Sequence, residues 1–224
     1  MPEVVDWGRR EYGDSLAEMR SLVGARRAGR IGDTLVLVEH PPVVTVGVEG
    51  DDGSAAMSGL PVVSVERGGR ATYHGPGQLV AYPIVDLDRR GRDVRRFVRD
   101  LEDVVVRTLA PLGIVAGHVP GRPGVWVEGS RKIASIGIAV RDWVSFHGVA
   151  LNVDLDLEVF RRLRPCGFDG SVMTSVAREL ARPVPFAEVV PRLRSAWEDR
   201  FAEPTAGPEA LASAPARAGI GESV

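Results

Sequence analysis

From Asp14 to about Arg27 the apolar residues Leu16, Met19, Leu22 and Val23 recur at helical spacing between charged neighbours, which predicts an amphipathic helix. Thr34–Glu39 and Val43–Val46 are short β-branched runs on either side of Pro41-Pro42, and they predict two strands separated by a bend. Pro61–Val65 and Leu79–Tyr82 predict two further strands, enclosing a glycine-rich stretch from Arg67 to Gly77. From Asp93 to about Leu112, Val94, Phe97, Val98, Leu101, Val104, Val105 and Thr108 share one face, while Arg95, Arg96, Arg99 and Asp103 lie elsewhere. This is the strongest helix pattern in the chain, and it should pack across a sheet.

The second half returns to strand patterns at Val125–Glu128, Lys132–Val140 and Trp143–Val153, with Arg141-Asp142 as a tight connection between the last two. The run Lys132-Ile-Ala-Ser-Ile-Gly-Ile-Ala-Val is apolar on both alternating faces and predicts a central strand covered on both sides. A short helix around Leu157–Leu163 must stop before Pro165, which leaves Pro165-Cys-Gly as a loop. Helices are expected again at Ser175–Leu180 and Phe186–Phe201. From Glu203 the chain is mostly Ala, Gly, Pro and Ser, too little apolar area to offset its ordering entropy, so 1–202 reads as one domain and 203–224 as a disordered tail.

Composition narrows the class. The 224 residues are 44% apolar and 26% charged, as in one ordinary globular domain. Without residues 203–224, which carry one Arg and three Glu, the body holds 27 basic and 27 acidic residues. Holding a nucleic-acid backbone or an anionic membrane by bulk charge needs a large basic excess, so neither is expected as a partner. No window approaches a membrane span of roughly 18 apolar residues, and the first residues lack the layout of a signal peptide, so a cytoplasmic location is expected. The single cysteine, Cys166, allows no intramolecular disulfide. Histidines 40, 74, 118 and 147 are too far apart in sequence for a familiar zinc cluster, and no metal site is read.

One count is unusual. Of 28 basic residues, 27 are Arg, and the only lysine is Lys132. Arg keeps its proton in a protein, whereas Lys can take part in proton transfer. Count alone leaves two readings of equal weight, a surface lysine that survived by chance and a lysine kept for chemistry.

Arg67-Gly-Gly-Arg-Ala-Thr-Tyr-His-Gly-Pro-Gly-Gln78 places four glycines in twelve residues beside Arg, Tyr, His and Gln. Such density lets backbone N–H groups approach a ligand, but it also suits a plain structural turn. No Gly-Lys-Ser/Thr follows, and no helix opens after it, so it is neither a phosphate loop nor a dinucleotide fingerprint. Its Arg67-Gly-Gly and Thr72-Tyr-His-Gly-Pro-Gly-Gln-Leu-Val closely resemble the signature of the octanoyltransferases of lipoate biosynthesis. Lys132-Ile-Ala-Ser-Ile-Gly-Ile, Phe146-His-Gly-Val-Ala-Leu-Asn-Val, Pro165-Cys-Gly and Val172-Met-Thr-Ser are similar to later blocks of that family, in the same order. Departures are mild: Arg70-Ala71 fills a variable pair, and Phe146 stands where Tyr is common.

The resemblance implies an α/β (α+β) single domain, a mixed β-sheet flanked by helices as in biotin and lipoate protein ligases. It implies transfer of an octanoyl group from acyl carrier protein to a lysine of lipoyl domains, such as the glycine cleavage H protein and 2-oxoacid dehydrogenase E2. Cys166 would be the nucleophile and Lys132 its proton-transfer partner, with no cofactor and a monomeric enzyme. The implied substrate site comprises Arg67, Gly68, Gly69, Arg70, Ala71, Thr72, Tyr73, His74, Ser135, Ile136, Gly137, Gly148, Val149 and Ala150, with His147, Gly77 and Gln78 as additional candidates. For His74, inside the glycine loop, a site role is favoured over a satisfied structural histidine, while for His147, mid-strand, the two readings stand equal. Gly167 and the turn before Gln78 are candidates for oxyanion N–H donors.

The dyad is physically sound. A thiol of pKa near 8.5 is only about 3% thiolate at pH 7. An ammonium about 4 Å away, at an effective dielectric near 20, stabilises the thiolate by up to about 4 kcal/mol. Two rivals stand beside the transferase: an ATP-dependent lipoate ligase of the same fold, which needs no Cys in that loop, and a silent acyl- or lipoyl-domain-binding module, which needs neither residue. Six arginines, Arg89, Arg90, Arg92, Arg95, Arg96 and Arg99, lie within eleven residues and are candidates to steer an acidic carrier. The alternative is a solvated face paired with Asp88, Asp93 and Asp100, with Arg161, Arg162 and Arg164 as the next docking candidates.

Overall fold

The computed structural model describes residues 2–162 and 170–202. The expectations for Arg164, Pro165-Cys166-Gly167 and a disordered tail fall outside these residues. In chain order the elements are β1 (Glu3–Arg9), α1 (Tyr12–Arg27), β2 (Thr34–Glu39), β3 (Val43–Val46), α2 (Ser54–Met57), β4 (Val62–Ser64), β5 (Ala71–His74) and β6 (Gln78–Ile84). They continue with α3 (Val94–Leu109), β7 (Ala116–Val119), β8 (Arg122–Val127), β9 (Arg131–Arg141), β10 (Val144–Asn152), α4 (Val159–Arg162), α5 (Val176–Leu180) and α6 (Phe186–Phe201).

Seven strands form one mixed sheet in the order β1-β2-β6-β10-β9-β8-β7, in which only β1 and β2 run parallel. A three-stranded sheet, β4-β3-β5, stands beside it. The apolar stripe of α3 (Phe97, Leu101, Val104, Val105) joins Val189, Leu193 and Trp197 of α6 over one face of the large sheet, against Leu35, Leu79, Ala81 and Leu151. Tyr12, Leu16, Met19 and Val23 of α1 cover the other face, against Val80, Tyr82, Ile84 and Phe146. Alternation along β6 sends Leu79 and Ala81 one way and Val80 and Tyr82 the other, as a strand buried on both faces requires. Among the described residues, no helix is long and apolar enough to cross a membrane.

Three expectations shift. The predicted Arg141-Asp142 connection is instead Asp142-Trp143, both at positive φ (50° and 62°), a primed hairpin turn one residue later. Strand β9 is fully covered only over Lys132–Ala134; Ser135–Val140 are half-buried, because a cleft lies over them. Part of the predicted glycine-rich loop, Ala71–His74, is strand β5, paired antiparallel with β3. Strands β1 and β7 gave no clear pattern because they are the edges of the sheet and are only half covered.

The arginine cluster divides. Asp33, at the start of β2, is buried and accepts from Arg26 Nε at 2.9 Å, from the Asp86 backbone N–H at 3.0 Å and from Arg90 Nη2 at 3.0 Å. Arg90 also donates to the Phe201 carbonyl at 3.1 Å, so one carboxylate joins α1, β2, the chain entering α3 and the end of α6. Arg89 pairs with Asp86, and Arg92 with Asp88 at 2.6 Å. Asp93 caps α3 by accepting from the Arg96 N–H, and Asp100 is bonded to Arg200. Arg95 and Arg99 thus remain on the exposed face of α3 without either acid. Removing one partner of a buried charge pair leaves the others unsatisfied, so Asp33→Ala should lower stability by about 3–5 kcal/mol. Urea titration at pH 7 checks this, with Asp88→Ala, an exposed pair, expected to change it by less than about 1 kcal/mol.

Candidate active site

The floor of a pocket is formed by β6, β10 and β9, its wall by Tyr12 of α1, and its rim by the Arg67–Gly69 segment with Thr72 and His74 of β5. Of the residues implied by the resemblance, Arg67, Gly68, Gly69, Thr72, His74, Ser135, Ile136, Gly137, His147, Gly148, Val149 and Ala150 meet here. Ala71 and Tyr73 do not: β5 alternates, so they turn into a small core with Val44, Leu155 and Phe160. Arg70 lies in a neighbouring cleft. The sequence reading missed Tyr12, Val80 and Tyr82, whose apolar bodies look like ordinary core positions.

The rim is held by close backbone approach. Pairing of β9 with β8 ends at Ala134, and beyond it the Gly68 N–H donates to the Ile138 carbonyl at 2.9 Å. A Cβ on Gly47 would stand 2.3 Å from the Gly69 carbonyl oxygen, and one on Gly137 would stand 3.0 Å from that of Gly68. Arg67 staples this turn, its guanidinium donating to the carbonyls of Thr45 and Arg70 at 2.8 Å and of Gly68 at 3.1 Å. The turn before Gln78 is occupied structurally. The Gly77 N–H donates to Glu39 Oε1 at 2.8 Å, and the Gln78 N–H to the Gly75 carbonyl at 3.1 Å.

A buried hydrogen-bond chain runs under the rim, and its polarity can be read from one end. Asn152 Nδ2 donates to the Thr174 carbonyl at 2.9 Å, so Asn152 Oδ1 accepts from Gln78 Nε2 at 3.0 Å. Gln78 Oε1 is then the acceptor from His74 Nδ1 at 2.7 Å. In the neutral ring His74 Nε2 is left to accept, and the Thr45 hydroxyl, which already accepts from Arg67, faces it at 3.4 Å. Burial drives His74 down to about 3, with His40 as a further cause, so the ring is neutral at ordinary pH. His147 is pushed down to about 4 by burial, against the opposing pull of Glu66, and Tyr12 is pushed up to about 12 by burial. His147 also holds φ +57° in mid-strand, an uncommon conformation for a non-glycine residue, and stands 3.5 Å from the Tyr12 hydroxyl. Three histidines that are distant in sequence are thus gathered around Tyr12, with His40 and His74 ring centroids 6.0 Å apart.

Lys132 is 3% exposed on β9, opposite Trp126, with Nζ 5.5 Å from that ring's centroid. It lines a second cleft with Gly68, Gly69, Arg70, Val98, Pro123 and Ile136, which shares Gly68, Gly69, Ile136 and Gly137 with the first pocket. Gly124 makes room for it: at φ +109°, a Cβ there would lie 2.8 Å from Lys132 Cε and 2.3 Å from the Ala134 carbonyl oxygen. The Lys132 carbonyl accepts from the Thr174 N–H at 2.9 Å, so the buried chain from His74 ends on the backbone of Lys132. Cys166 lies outside the described residues.

An apolar-floored pocket thus lies next to the cleft of a buried lysine, on a mixed sheet with helices on both faces. The model of the lipoyl protein ligase A/B catalytic domain matches residues 11–198. An octanoyltransferase from Geobacter sulfurreducens is 47% identical over 83% of this chain and 79% of its own. A bi-partite lipoate protein ligase from Thermoplasma acidophilum shares the fold, with a TM-score of 0.66 and 18% identity over 90% of this chain and 84% of that one. Biotin protein ligase from Aquifex aeolicus, in complex with biotin and ATP, shares it more distantly, with a TM-score of 0.56 and 11% identity over 90% and 71%. The chain belongs to the lipoyl protein ligase A/B catalytic-domain family, among its octanoyltransferases, and is an acyltransferase.

Two outcomes follow from this geometry. The unfolded chain protonates its histidines near pH 6.5 while folded His74 and His147 stay neutral to about 3 and about 4, so the unfolded state binds more protons in between. Their contribution to stability is complete above pH 6.5 and declines as pH falls towards those values. Urea midpoints of the wild type should drop from pH 6.5 to 4.5, and His74→Gln should show a shallower drop; equal slopes would contradict the buried neutral ring. Gly124→Ala should lower stability by about 1–3 kcal/mol through overpacking and displace Lys132, reducing acyl transfer at least about tenfold. Gly117→Ala, where a Cβ meets open space, should leave both unchanged.

Proposed function

We propose that this enzyme transfers an octanoyl group from acyl carrier protein to one lysine of lipoyl domains, the glycine cleavage H protein and 2-oxoacid dehydrogenase E2 among them. Cys166 carries the group as a thioester, and Lys132 moves the proton. The observation that supports this best is Lys132 itself: the sole lysine of the chain is buried in the cleft next to the apolar-floored pocket, the two sharing Gly68, Gly69, Ile136 and Gly137.

In the first step the Cys166 thiolate attacks the donor carbonyl carbon, the donor C–S bond breaks, and the departing carrier sulfur takes the proton of the Lys132 ammonium, leaving as a thiol and leaving Lys132 neutral. In the second, the acceptor ε-amine attacks the enzyme thioester. A C–N bond forms, the enzyme C–S bond breaks, and the amine proton passes to Lys132 as the thiolate is restored. Val80, Ile136, Val149 and Ala150 offer the chain an apolar bed. Each buried methylene contributes about 0.8 kcal/mol, so an eight-carbon chain gains roughly 5 kcal/mol of binding.

The fold shared with ATP-dependent ligases keeps one second reading open, activation of free octanoate by ATP. Incubating the enzyme with octanoyl carrier protein without ATP, then weighing it intact, separates the two. The transferase gains one octanoyl group, Cys166→Ala gains none, and peptide mapping places the label on Cys166. Lys132→Arg keeps the charge but accepts no proton, so loading should persist while hand-over to the acceptor falls about 10²-fold or more. Modification that requires ATP and free octanoate, or label on another residue, would overturn this reading.

A further inference from the structure

A third cavity adjoins the site on the side away from the acyl pocket. It is a trough of about 400 Å³ between α3 and the β7–β8 hairpin, and it shares Val98, Gly121 and Pro123 with the Lys132 cleft. The three spaces therefore lie in a row, from the trough past Lys132 to the apolar pocket, with the Arg67–Gly69 turn standing between the last two. The bed is apolar, from Val94, Val98 and Pro123, while Arg95, Arg99 and Arg122 stand on its rim. Arg95 and Arg99 form no ion pair among the described residues, in contrast with Arg89, Arg90 and Arg92 of the same cluster. Among the described residues one acid lines the trough: Glu102, which is buried, accepts from the Gly124 N–H at 3.1 Å and feels the charge of Arg99.

The chemistry that fits this path has an anion at one end, a slim partly apolar arm in the middle and an acyl thioester at the other end. We propose that the trough receives the phosphopantetheine arm of the carrier-borne donor, with its phosphodiester held by Arg95 and Arg99 and its thioester delivered beside Lys132. This rests on the donor named under the proposed function, and it assigns that donor a route. The acidic surface of a carrier protein meets the exposed face of α3, where Arg96 adds to the same field. Two guanidinium groups four residues apart on one helix face can clasp a single phosphodiester, a contact that is charge-assisted and directional.

The test uses three donors of decreasing size: octanoyl carrier protein, octanoyl-4′-phosphopantetheine and octanoyl-pantetheine, which lacks the phosphate. Steady-state transfer to a lipoyl domain is measured for wild type and for Arg95→Glu/Arg99→Glu. KM should rise at least tenfold for the first two donors, while kcat/KM for octanoyl-pantetheine stays within twofold and the melting temperature is unchanged. Arg95→Gln/Arg99→Gln should show the same pattern at smaller size, which excludes an effect of the added negative charges. Equal losses with all three donors, a loss with the carrier alone, or no loss would each overturn the assignment. Wild-type enzyme inactive with octanoyl carrier protein would instead refute the donor itself, and that is seen before any variant is compared.

Discussion

The hydrogen bond from the Gly68 N–H to the Ile138 carbonyl is the contact on which the site's geometry rests. Strand β9 loses its β8 partner after Ala134, and an unpaired strand edge must find donors and acceptors elsewhere. The Arg67–Gly69 turn supplies them by crossing that edge, and it approaches closely enough only because Gly47 and Gly137 carry no Cβ. The crossing stands between the apolar-floored pocket on the α1 side and the Lys132 cleft on the α3 side. The separation of pocket and cleft is therefore a consequence of where a single strand pairing stops.

Beneath the turn, polar groups that would be expensive to bury singly are satisfied in series. The Thr174 carbonyl orients Asn152, Asn152 orients Gln78, and Gln78 selects the His74 tautomer, leaving Nε2 to face Thr45. A relay of this kind tolerates little rearrangement, since reversing one amide strands its neighbours. It also ties Met173 and Thr174 to the backbone of Lys132. The histidines lining the first pocket are neutral at ordinary pH, because burial holds their protonation far below it.

Charge is partitioned by the same logic. Arg26 and Arg90 are consumed by the buried Asp33, where they hold α1, β2 and α6 together, and Arg67 is consumed by backbone carbonyls. What remains outward, along the trough that leads to the site, is Arg95 and Arg99. The run of six arginines therefore divides: Arg90 is spent inside the fold, Arg89 and Arg92 pair at the surface, and Arg95, Arg96 and Arg99 form no ion pair among the described residues.

Local pattern was enough for much of this. The 3.6-residue stripe of α3 and the β-branched runs of β2, β3, β6, β9 and β10 identify their elements, because burial of a regular face needs only local order. The solitary Lys132 and Cys166, and the ordered blocks around them, point to acyl transfer from composition and resemblance alone. Tertiary structure alone decided the rest. It turned Ala71 and Tyr73 away from the pocket by the alternation of β5, spent the Gly77 N–H on Glu39, and brought Tyr12, Tyr82 and three distant histidines together. It also exposed half of a strand whose apolar run reads as fully covered. These facts depend on which residues far apart in the chain share a volume. Periodicity reports only which side of an element is buried, never what lies against it.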